Sequence, residues 1–323
     1  MKNISKLFGI IVITAIIGFG LSGCSSDDNG EEPFDIEMVL INAGTFNMGS
    51  PDTEDGRAAR ETQHSVTLTK NFYIGKYPVT QDEWVTVIGE GSNPSGFDGL
   101  AGKEPATGEI QGRRPVEQAS FYNALVFCNK LSVLKGFNPV YKIDLSTDPD
   151  DWGPVPTGAN DATWDAVEIV SGANGYRLPT EAQWEYACRA GKTTAYNDGT
   201  SDGADIGDSA WYADNSDGIT REVGKKLPNN WGLHDMIGNV FEWCWDGQAT
   251  NNDDYPNGAT AQTDPAYTTS TARRISRGVG YDWDFSSSSG TDNLRSAYRQ
   301  STRPYYGPIE GYDDQGFRVV RIP

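Results

Sequence analysis

The sequence predicts a mixed α+β protein with little regular secondary structure, short helices and many loops. Three observations lead to this prediction. Apolar runs with a helical period are few and short. Short alternating runs lie between them, as is typical of strands. The chain also contains 37 glycines, 9 tryptophans and 15 tyrosines, with 22% charged and 37% hydrophobic residues. This composition favours a globular fold rich in turns and aromatic side chains over one built from long helices.

The first 36 residues are predicted to lie outside the folded domain. Lys2 and Lys6 precede an apolar run over residues 7–21, which is typical of a secretory signal and too short for a membrane helix. Residues 21–24 (LSGC) resemble a bacterial lipobox. We therefore predict a lipoprotein signal peptide over residues 1–23 and lipidation at Cys24; the alternative is an ordinary cleaved signal with a chance cysteine.

Residues 24–36 are predicted to form an acidic flexible tether, because they hold almost no side chains that a core could bury. The tether is similar to the surface-export signal of Bacteroidetes lipoproteins. The expected location is the cell envelope, with a lipid anchor in the outer membrane and a domain that the tether could carry to the cell surface. Residues 37–323 are expected to form one domain.

Charge and cysteine content limit the classes of function. The net charge of −19 argues against nucleic acid or an anionic membrane surface as a partner. It is compatible with bound calcium, which prefers carboxylate and carbonyl oxygens, although solubility outside the cell also explains it. If Cys24 is lipidated, Cys128, Cys188 and Cys244 remain, an odd number with no metal-ligand spacing.

The first half of the domain contains two predicted helices among strands and loops. Residues 38–50 and 65–77 alternate and predict strands, and residues 92–112 predict a loop rich in glycine and proline. Thr80 and Glu83 have the spacing of a capping box for a short helix. Ser120 is the predicted N-cap of the next helix, whose apolar positions repeat at helical spacing: Phe121, Leu125, Cys128 and Leu131.

The second half begins with a predicted hairpin insertion over residues 138–171, which has an irregular tip. In residues 174–191, Thr180 and Gln183 form another capping box and Gly191 can take the left-handed conformation that ends the helix. The core-facing positions of this helix are Trp184, Ala187 and Cys188. Residues 193–230 show little periodicity. Residues 274–283 predict a strand that reaches a glycine turn, and residues 294–299 and 316–322 predict closing strands.

The order of motifs resembles the formylglycine-generating enzymes, also called sulfatase-modifying factors. The matching segments cover residues 38–321 and read AGTFNMGS, PVTQDEW, RPVEQASFYNALVFCNKLS, GYRLPTEAQWEYACRAG, NNWGLHDMIGNVFEW, SRGVGYDW, LRSAYR and GFRVVR. The resemblance implies a variant of the C-type lectin fold, held together by loops and bound calcium. That expectation agrees with the capped short helices and scattered strands read from the residues.

The resemblance implies one calcium site at Asn239, Val240 and Glu242, where side-chain and backbone oxygens converge on a hard cation. The alternative is that Glu242 is a solvated or salt-bridged acid and Asn239 a turn residue. A weaker second calcium site would involve Asn215, Ser216 and Gly224. Gly224 stands where better-known members of the family carry a carboxylate.

The family oxidases bind copper through two neighbouring cysteines, since thiolates suit a soft Cu(I) ion. The matching places in this chain are near Ser286 and Thr291, and no cysteine follows Cys244. We therefore predict that these positions hold no catalytic residues, that the protein binds no copper, and that it does not form formylglycine by the known mechanism. Candidate ligand contacts are aromatic residues in or near this region, which are expected to be exposed: Tyr281, Trp283, Tyr305 and Tyr306.

The leading hypothesis is a lipid-anchored, calcium-stabilised binding or assembly component of the cell envelope. Its expected partners are the membrane, through the anchor, and an envelope protein or a glycan. Two alternatives stay open. The chain could be a formylglycine-generating oxidase that acts on sulfatases through a non-standard site, or a calcium-dependent, lectin-like glycan-binding protein.

Overall fold

The computed structural model describes residues 34–248, 259–267, 273–284, 292–306 and 313–323. The chain divides into two compact units, Met1–Asp35 and Ile36–Pro323, and the described strands and helices all lie in the second. Within the described ranges, no helix combines the length and the apolar character needed to cross a membrane.

The described strands form four small sheets instead of one large one. In chain order the strands are β1 Met38–Ile41, β2 Gly44–Met48, β3 His64–Leu68, β4 Phe72–Gly75, β5 Tyr141–Lys142, β6 Glu168–Ile169, β7 Phe241–Gly247, β8 Gln262–Thr263, β9 Arg274–Arg277, β10 Arg299–Thr302, β11 Gln315–Gly316 and β12 Val320–Arg321. The first sheet has the order β1-β4-β12, the second β10-β9-β7-β11, the third β2-β3-β8 and the fourth β5-β6.

The described helices are short, and three of them begin at side-chain caps that the sequence predicts. Thr80 and Ser120 each form a capping box, with Glu83 and Asn123 respectively. Thr180 forms a third with Gln183. The α-helices are α1 Gln81–Ile88, α2 Phe121–Leu134, α3 Ala162–Asp165, α4 Glu181–Arg189 and α5 Ile206–Ser209, and 3₁₀ turns span Gln111–Arg113 and Pro149–Asp151. The mixed α+β class with few short helices is confirmed.

Helix α4 ends one residue earlier than the expected glycine. Ala190 takes the left-handed conformation with φ +45°, and Gly191 follows with φ +83°. The hairpin insertion is confirmed by the antiparallel pair β5 and β6, in which Tyr141 lies opposite Ile169.

Three strand predictions differ from the structure. Residues 316–322 are divided between β11 in one sheet and β12 in another. Residues 65–77 form two strands, β3 and β4, which belong to different sheets. Between them the Thr69 N–H and hydroxyl both bond to the Asp264 carboxylate. Residues 294–298 form turns, and β10 begins only at Arg299. The Leu294 N–H bonds to Asp292 Oδ1 at 3.0 Å, a local contact that competes with a strand.

The core combines aromatic rings with buried ion pairs. Trp184, Trp243 and Trp245 are almost fully buried, from α4 and β7. The largest fully buried side chains also include five arginines: Arg114, Arg274, Arg277, Arg295 and Arg318. Because a buried guanidinium needs hydrogen-bond acceptors and a counter-ion, these arginines join segments that are distant in sequence.

Candidate functional site

Strand β7 places Glu242 at the centre of a buried polar cluster. Its two carboxylate oxygens accept bidentate hydrogen bonds from Arg318, from Nε to Oε2 and from Nη2 to Oε1, each at 2.6 Å. The Trp184 indole N–H from α4 also donates to Oε2, at 2.7 Å. The remaining Arg318 donors reach the carbonyl oxygens of Gly75, His234 and Asp235. Glu242 therefore links β7 to α4 and to the chain end.

Asn239 holds a neighbouring segment of backbone. It has a positive φ of +67° and is fully buried. Its Oδ1 accepts from the Arg221 N–H, and its Nδ2 donates to the Arg221 carbonyl, both at 3.0 Å. The Val240 N–H bonds to the Gly238 carbonyl at 2.9 Å. The side chain of Asn239 thus acts as a clamp on the loop around residue 221.

Asp235 belongs to the same cluster, although it is not among the predicted calcium ligands. Its Oδ2 accepts from the Gly224 N–H at 2.8 Å. Its Oδ1 is buried and has no hydrogen-bond partner in the described part of the chain. Burial raises the pKa of Asp235, which the Gly224 hydrogen bond partly offsets. The only feature of the sequence that points to Asp235 is its position shortly before the GNVFEW motif.

Only some of the oxygen atoms in this cluster are available to bind calcium. The side-chain oxygens of Asn239 and Glu242 are already engaged by Arg221 and Arg318, so a cation would have to compete for them. Asp235 Oδ1 is a buried acceptor without a partner, which a hard cation would satisfy. No group of three or more His, Cys, Asp or Glu side chains that could hold a metal occurs within the residues described. Calcium at this site stays a prediction.

The residues of the weaker predicted calcium site make hydrogen bonds that stabilise their own loop and its neighbours. Asn215 Oδ1 accepts from the Tyr212 N–H, and its Nδ2 donates to the Ala210 carbonyl. The Ser216 hydroxyl donates to the Tyr281 carbonyl at 2.8 Å. Gly224 has φ +75° and is tied to Asp235. The two predicted sites are therefore joined through the bond between Gly224 and Asp235.

Of the four aromatic candidates for ligand contact, two are not exposed as expected. Tyr281 is 5% exposed and packs edge-to-face on Phe97, with ring centroids 5.2 Å apart. Tyr305 is 6% exposed and packs against Tyr306. Both rings fill space between loops, which explains their burial. Trp283 and Tyr306 are half-buried, and ligand contact by any of the four stays a prediction.

Trp283 lines an open cavity of about 490 Å³. Its indole N–H donates to Asp314 Oδ2 at 3.0 Å, and its ring packs against Phe241 and Tyr298 with centroids 5.1 and 6.2 Å away. The cavity wall is otherwise polar and cationic. Its described lining residues are Arg60, Gln248, Arg273, Trp283, Tyr298, Gln300 and Ser301. Arg60, Tyr298 and Gln300 were not predicted, because no pattern in the sequence brings them near Trp283.

The thiols of the domain are buried away from this cavity wall. Cys128, Cys188 and Cys244 are unpaired and fully buried. Burial raises the pKa of all three, for Cys188 to about 12. A buried thiol with a raised pKa is a poor nucleophile and metal ligand. Ser286, Thr291 and Cys24 lie outside the described residues.

The fold and the cluster at β7 define a loop-rich α+β domain of the C-type lectin-like kind, with a buried polar centre. The model of the sulfatase-modifying factor enzyme 1-like domain matches residues 27–323. The chain therefore belongs to the family of sulfatase-modifying factor and formylglycine-generating enzyme domains.

Known relatives agree in sequence and in structure. The chain is 36% identical over 253 residues to the chaperone protein LppX of Paenibacillus barcinonensis, covering 73% of this chain and 79% of the relative. It is 29% identical over 242 residues to the formylglycine-generating enzyme of Mycobacterium tuberculosis, covering 64% and 73%. The solved structure of Treponema denticola variable protein 1 has a TM-score of 0.74 and 34% identity, covering 88% of this chain and 95% of that one.

Proposed function

We propose that this chain is a lipid-anchored binding component of the cell envelope that lacks the copper oxidase of its family and binds a partner protein. The observation that carries the proposal is the distribution of thiols. No cysteine follows Cys244 in the sequence, and the three cysteines of the domain are buried with raised pKa values. A pair of thiolates for Cu(I) is thus missing from the region where the resemblance expects it.

One relative of this chain favours a protein partner over other ligands. That relative, 36% identical over 73% of this chain, is named a chaperone. The open cavity beside Trp283 supplies a surface for binding. Lipidation at Cys24 and the acidic tether would hold the domain at the membrane, and bound calcium would stabilise it through Asp235.

The first experiment tests the loss of oxidase activity. The soluble domain is incubated with Cu(I), oxygen and a cysteine-containing sulfatase peptide, with the Mycobacterium tuberculosis formylglycine-generating enzyme as positive control. We expect no loss of thiol and no aldehyde from this chain under conditions in which the control converts the peptide. Aldehyde that accumulates with time would contradict the proposal and favour an oxidase with a non-standard site.

The second experiment tests binding. Light scattering is followed while an exported bacterial hydrolase is heated alone, with the domain, or with an equal amount of albumin. We expect the domain to reduce scattering and albumin to leave it unchanged. Equal scattering in the three samples, together with calcium-dependent retention on a glycan array, would favour the lectin alternative.

A further inference from the structure

We infer that a second cavity, between strand β2 and the loop that follows helix α4, binds a pyranose saccharide without a metal ion. The inference goes beyond the proposed function, because it concerns another part of the domain and another class of ligand. Three features of the described residues carry it: a platform of three aromatic rings, the polar side chains around that platform, and a buried arginine that holds the wall in place.

This cavity, called the β2 cavity below, has a volume of about 360 Å³. That volume lies within the roughly 300–1,000 Å³ that is typical of small-molecule sites. The wall combines aromatic, amide, hydroxyl and ammonium groups, and such a mixture suits a ligand that has both apolar and polar faces. The described lining residues are Thr45, Phe46, Asn47, Gln63, Tyr186, Arg189, Gly191, Lys192, Thr193 and Trp231.

The aromatic platform consists of Phe46, Tyr186 and Trp231. The Tyr186 ring centroid is 5.1 Å from that of Phe46 and 4.9 Å from that of Trp231. All three rings are half-buried, pack against the hydrophobic core and line the cavity. A Cβ atom at Gly44 would overlap the Tyr186 hydroxyl, so glycine allows this close approach to β2. The platform is thus supported by the core and offers apolar surface on which the C–H face of a pyranose ring can pack.

Polar side chains reach the β2 cavity from two parts of the chain. Asn47 lies opposite Ser65, so strand alternation places Gln63 on the same face of the β2–β3 ladder, and both amides are exposed. Lys192 and Thr193 add an ammonium and a hydroxyl group from the loop after α4. Each amide supplies two N–H donors and a carbonyl acceptor. These groups match the hydroxyls around the rim of a pyranose ring, since every hydroxyl can both donate and accept.

The buried side chain of Arg189 holds the wall of the β2 cavity in place. Its Nε donates to Glu185 Oε1 at 2.8 Å within α4. Its Nη2 donates to the Gly49 carbonyl at 2.9 Å, and its Nη1 to the Thr194 carbonyl at 3.1 Å. Arg189 therefore ties α4 to the end of β2 and to the loop that carries Lys192. A wall that is ordered before binding lowers the entropic cost of holding a ligand.

The chemistry of the wall favours a saccharide over a calcium ion or a lipid chain. Calcium prefers carboxylate and carbonyl oxygens, and the Lys192 ammonium would repel it. A lipid chain would cover the amides of Asn47 and Gln63 without offering them hydrogen bonds, which costs free energy. A saccharide satisfies these amides and also covers the aromatic platform.

The test is an array of immobilised oligosaccharides built from pyranose rings, to which the soluble domain is applied in the presence of EDTA. We expect retention without calcium, and the most strongly retained oligosaccharide is then titrated in solution by calorimetry. Trp231→Ala removes part of the platform and should weaken binding at least roughly tenfold. Asn47→Ala combined with Gln63→Ala removes the amides and should weaken binding about fivefold or more.

Asn160→Ala is the matched control, because Asn160 is also exposed and lies in the loop before α3. It should leave the affinity unchanged, and thermal unfolding checks that the variants fold. The double amide variant changes only exposed side chains, so it decides the question even if Trp231→Ala does not fold. Absence of retention in EDTA, retention that requires calcium, or an affinity that the double amide variant leaves unchanged would overturn the inference. The copper and light-scattering assays contain no saccharide, so failure here is distinguishable from failure of the proposed function.

Discussion

At the scale of single residues, buried arginine–carboxylate pairs determine how the loops are joined. Arg295 binds Glu61 with both terminal nitrogens, at 2.7 and 3.0 Å, and so fixes a loop more than 200 residues away in sequence. Arg318 likewise binds Glu242 with two nitrogens, Nε and Nη2, across 76 positions of the chain. The motif GNVFEW therefore has a structural role at Glu242 that is independent of any bound metal.

Substitution Glu242→Gln tests that role. It keeps the shape of the side chain but leaves the buried Arg318 guanidinium without a counter-ion. We expect the free energy of unfolding to fall by about 3–5 kcal/mol, measured by urea denaturation. Glu37→Gln is the control, because Glu37 pairs with Lys76 at 3.0 Å while 59% exposed, and it should cost less than about 1 kcal/mol. Equal effects of the two substitutions would refute the assignment.

The raised pKa of Asp314 predicts that the stability of the protein depends on pH. Burial, together with the nearby Asp282 carboxylate, raises its pKa from 3.8 to about 7. Between these values the folded protein keeps a proton that the unfolded chain has lost. Stability should therefore decrease as the pH rises from about 4 to 7, by up to about 1.4 kcal/mol per pH unit for this group.

The variant Asp314→Asn removes this titration while keeping an oxygen that can accept the Trp283 indole N–H. Urea midpoints measured from pH 4.5 to 8 should show a smaller decrease for the variant than for the unaltered chain. Glu117 and Asp246, whose pKa values burial also raises to about 7, contribute to both proteins and cancel in the comparison. Asp217→Asn, at a side chain that is 83% exposed, should leave the profile unchanged. Parallel profiles for Asp314→Asn and the unaltered chain would contradict the assignment.

At the scale of elements, α4 connects the core to several loops. Its cap residue Thr180 accepts from the Gln183 N–H at 3.2 Å, and Glu181 pairs with Arg299 of β10 at 2.7 Å. Glu185 accepts from the Gly49 N–H at 2.8 Å. A nine-residue helix is too short to be stable alone, so its position depends on these contacts as well as on its cap.

Thr180→Ala should lower the free energy of unfolding by about 1 kcal/mol, because one N-terminal N–H of α4 loses its acceptor. Thr180→Ser keeps the hydroxyl and should cost little. The measurement is urea denaturation of both variants at pH 7. A loss of equal size in Thr180→Ser would show that the methyl group, and not the cap, is responsible.

At the scale of the whole molecule, more of the described residues lie in loops than in helices and strands. The polar cluster at β7 joins several of these loops. If calcium binds there through Asp235, adding it should raise the melting temperature and chelation should reverse the change. A concentration of 100 Kd would contribute about 2.7 kcal/mol. Asp235→Asn should abolish the calcium response, and magnesium should not replace calcium because it keeps its waters more strongly. A melting temperature that chelation leaves unchanged would contradict the calcium prediction.

The sequence by itself determined the local features and, through the order of its motifs, the family and the fold. Caps at Thr80, Ser120 and Thr180 depend on side chains within three residues of one another, so spacing alone predicts them. The burial of Trp184 and Cys188 follows in the same way from helical period.

Only the tertiary structure decided which distant side chains meet. Arg318 neutralises Glu242 across 76 positions of sequence, and Arg60 reaches the cavity at Trp283 from a loop near the start of the domain. No periodicity encodes such contacts, because they depend on how irregular loops pack. For the same reason the sequence placed Tyr281 and Tyr305 at the surface, whereas packing between loops buries both rings.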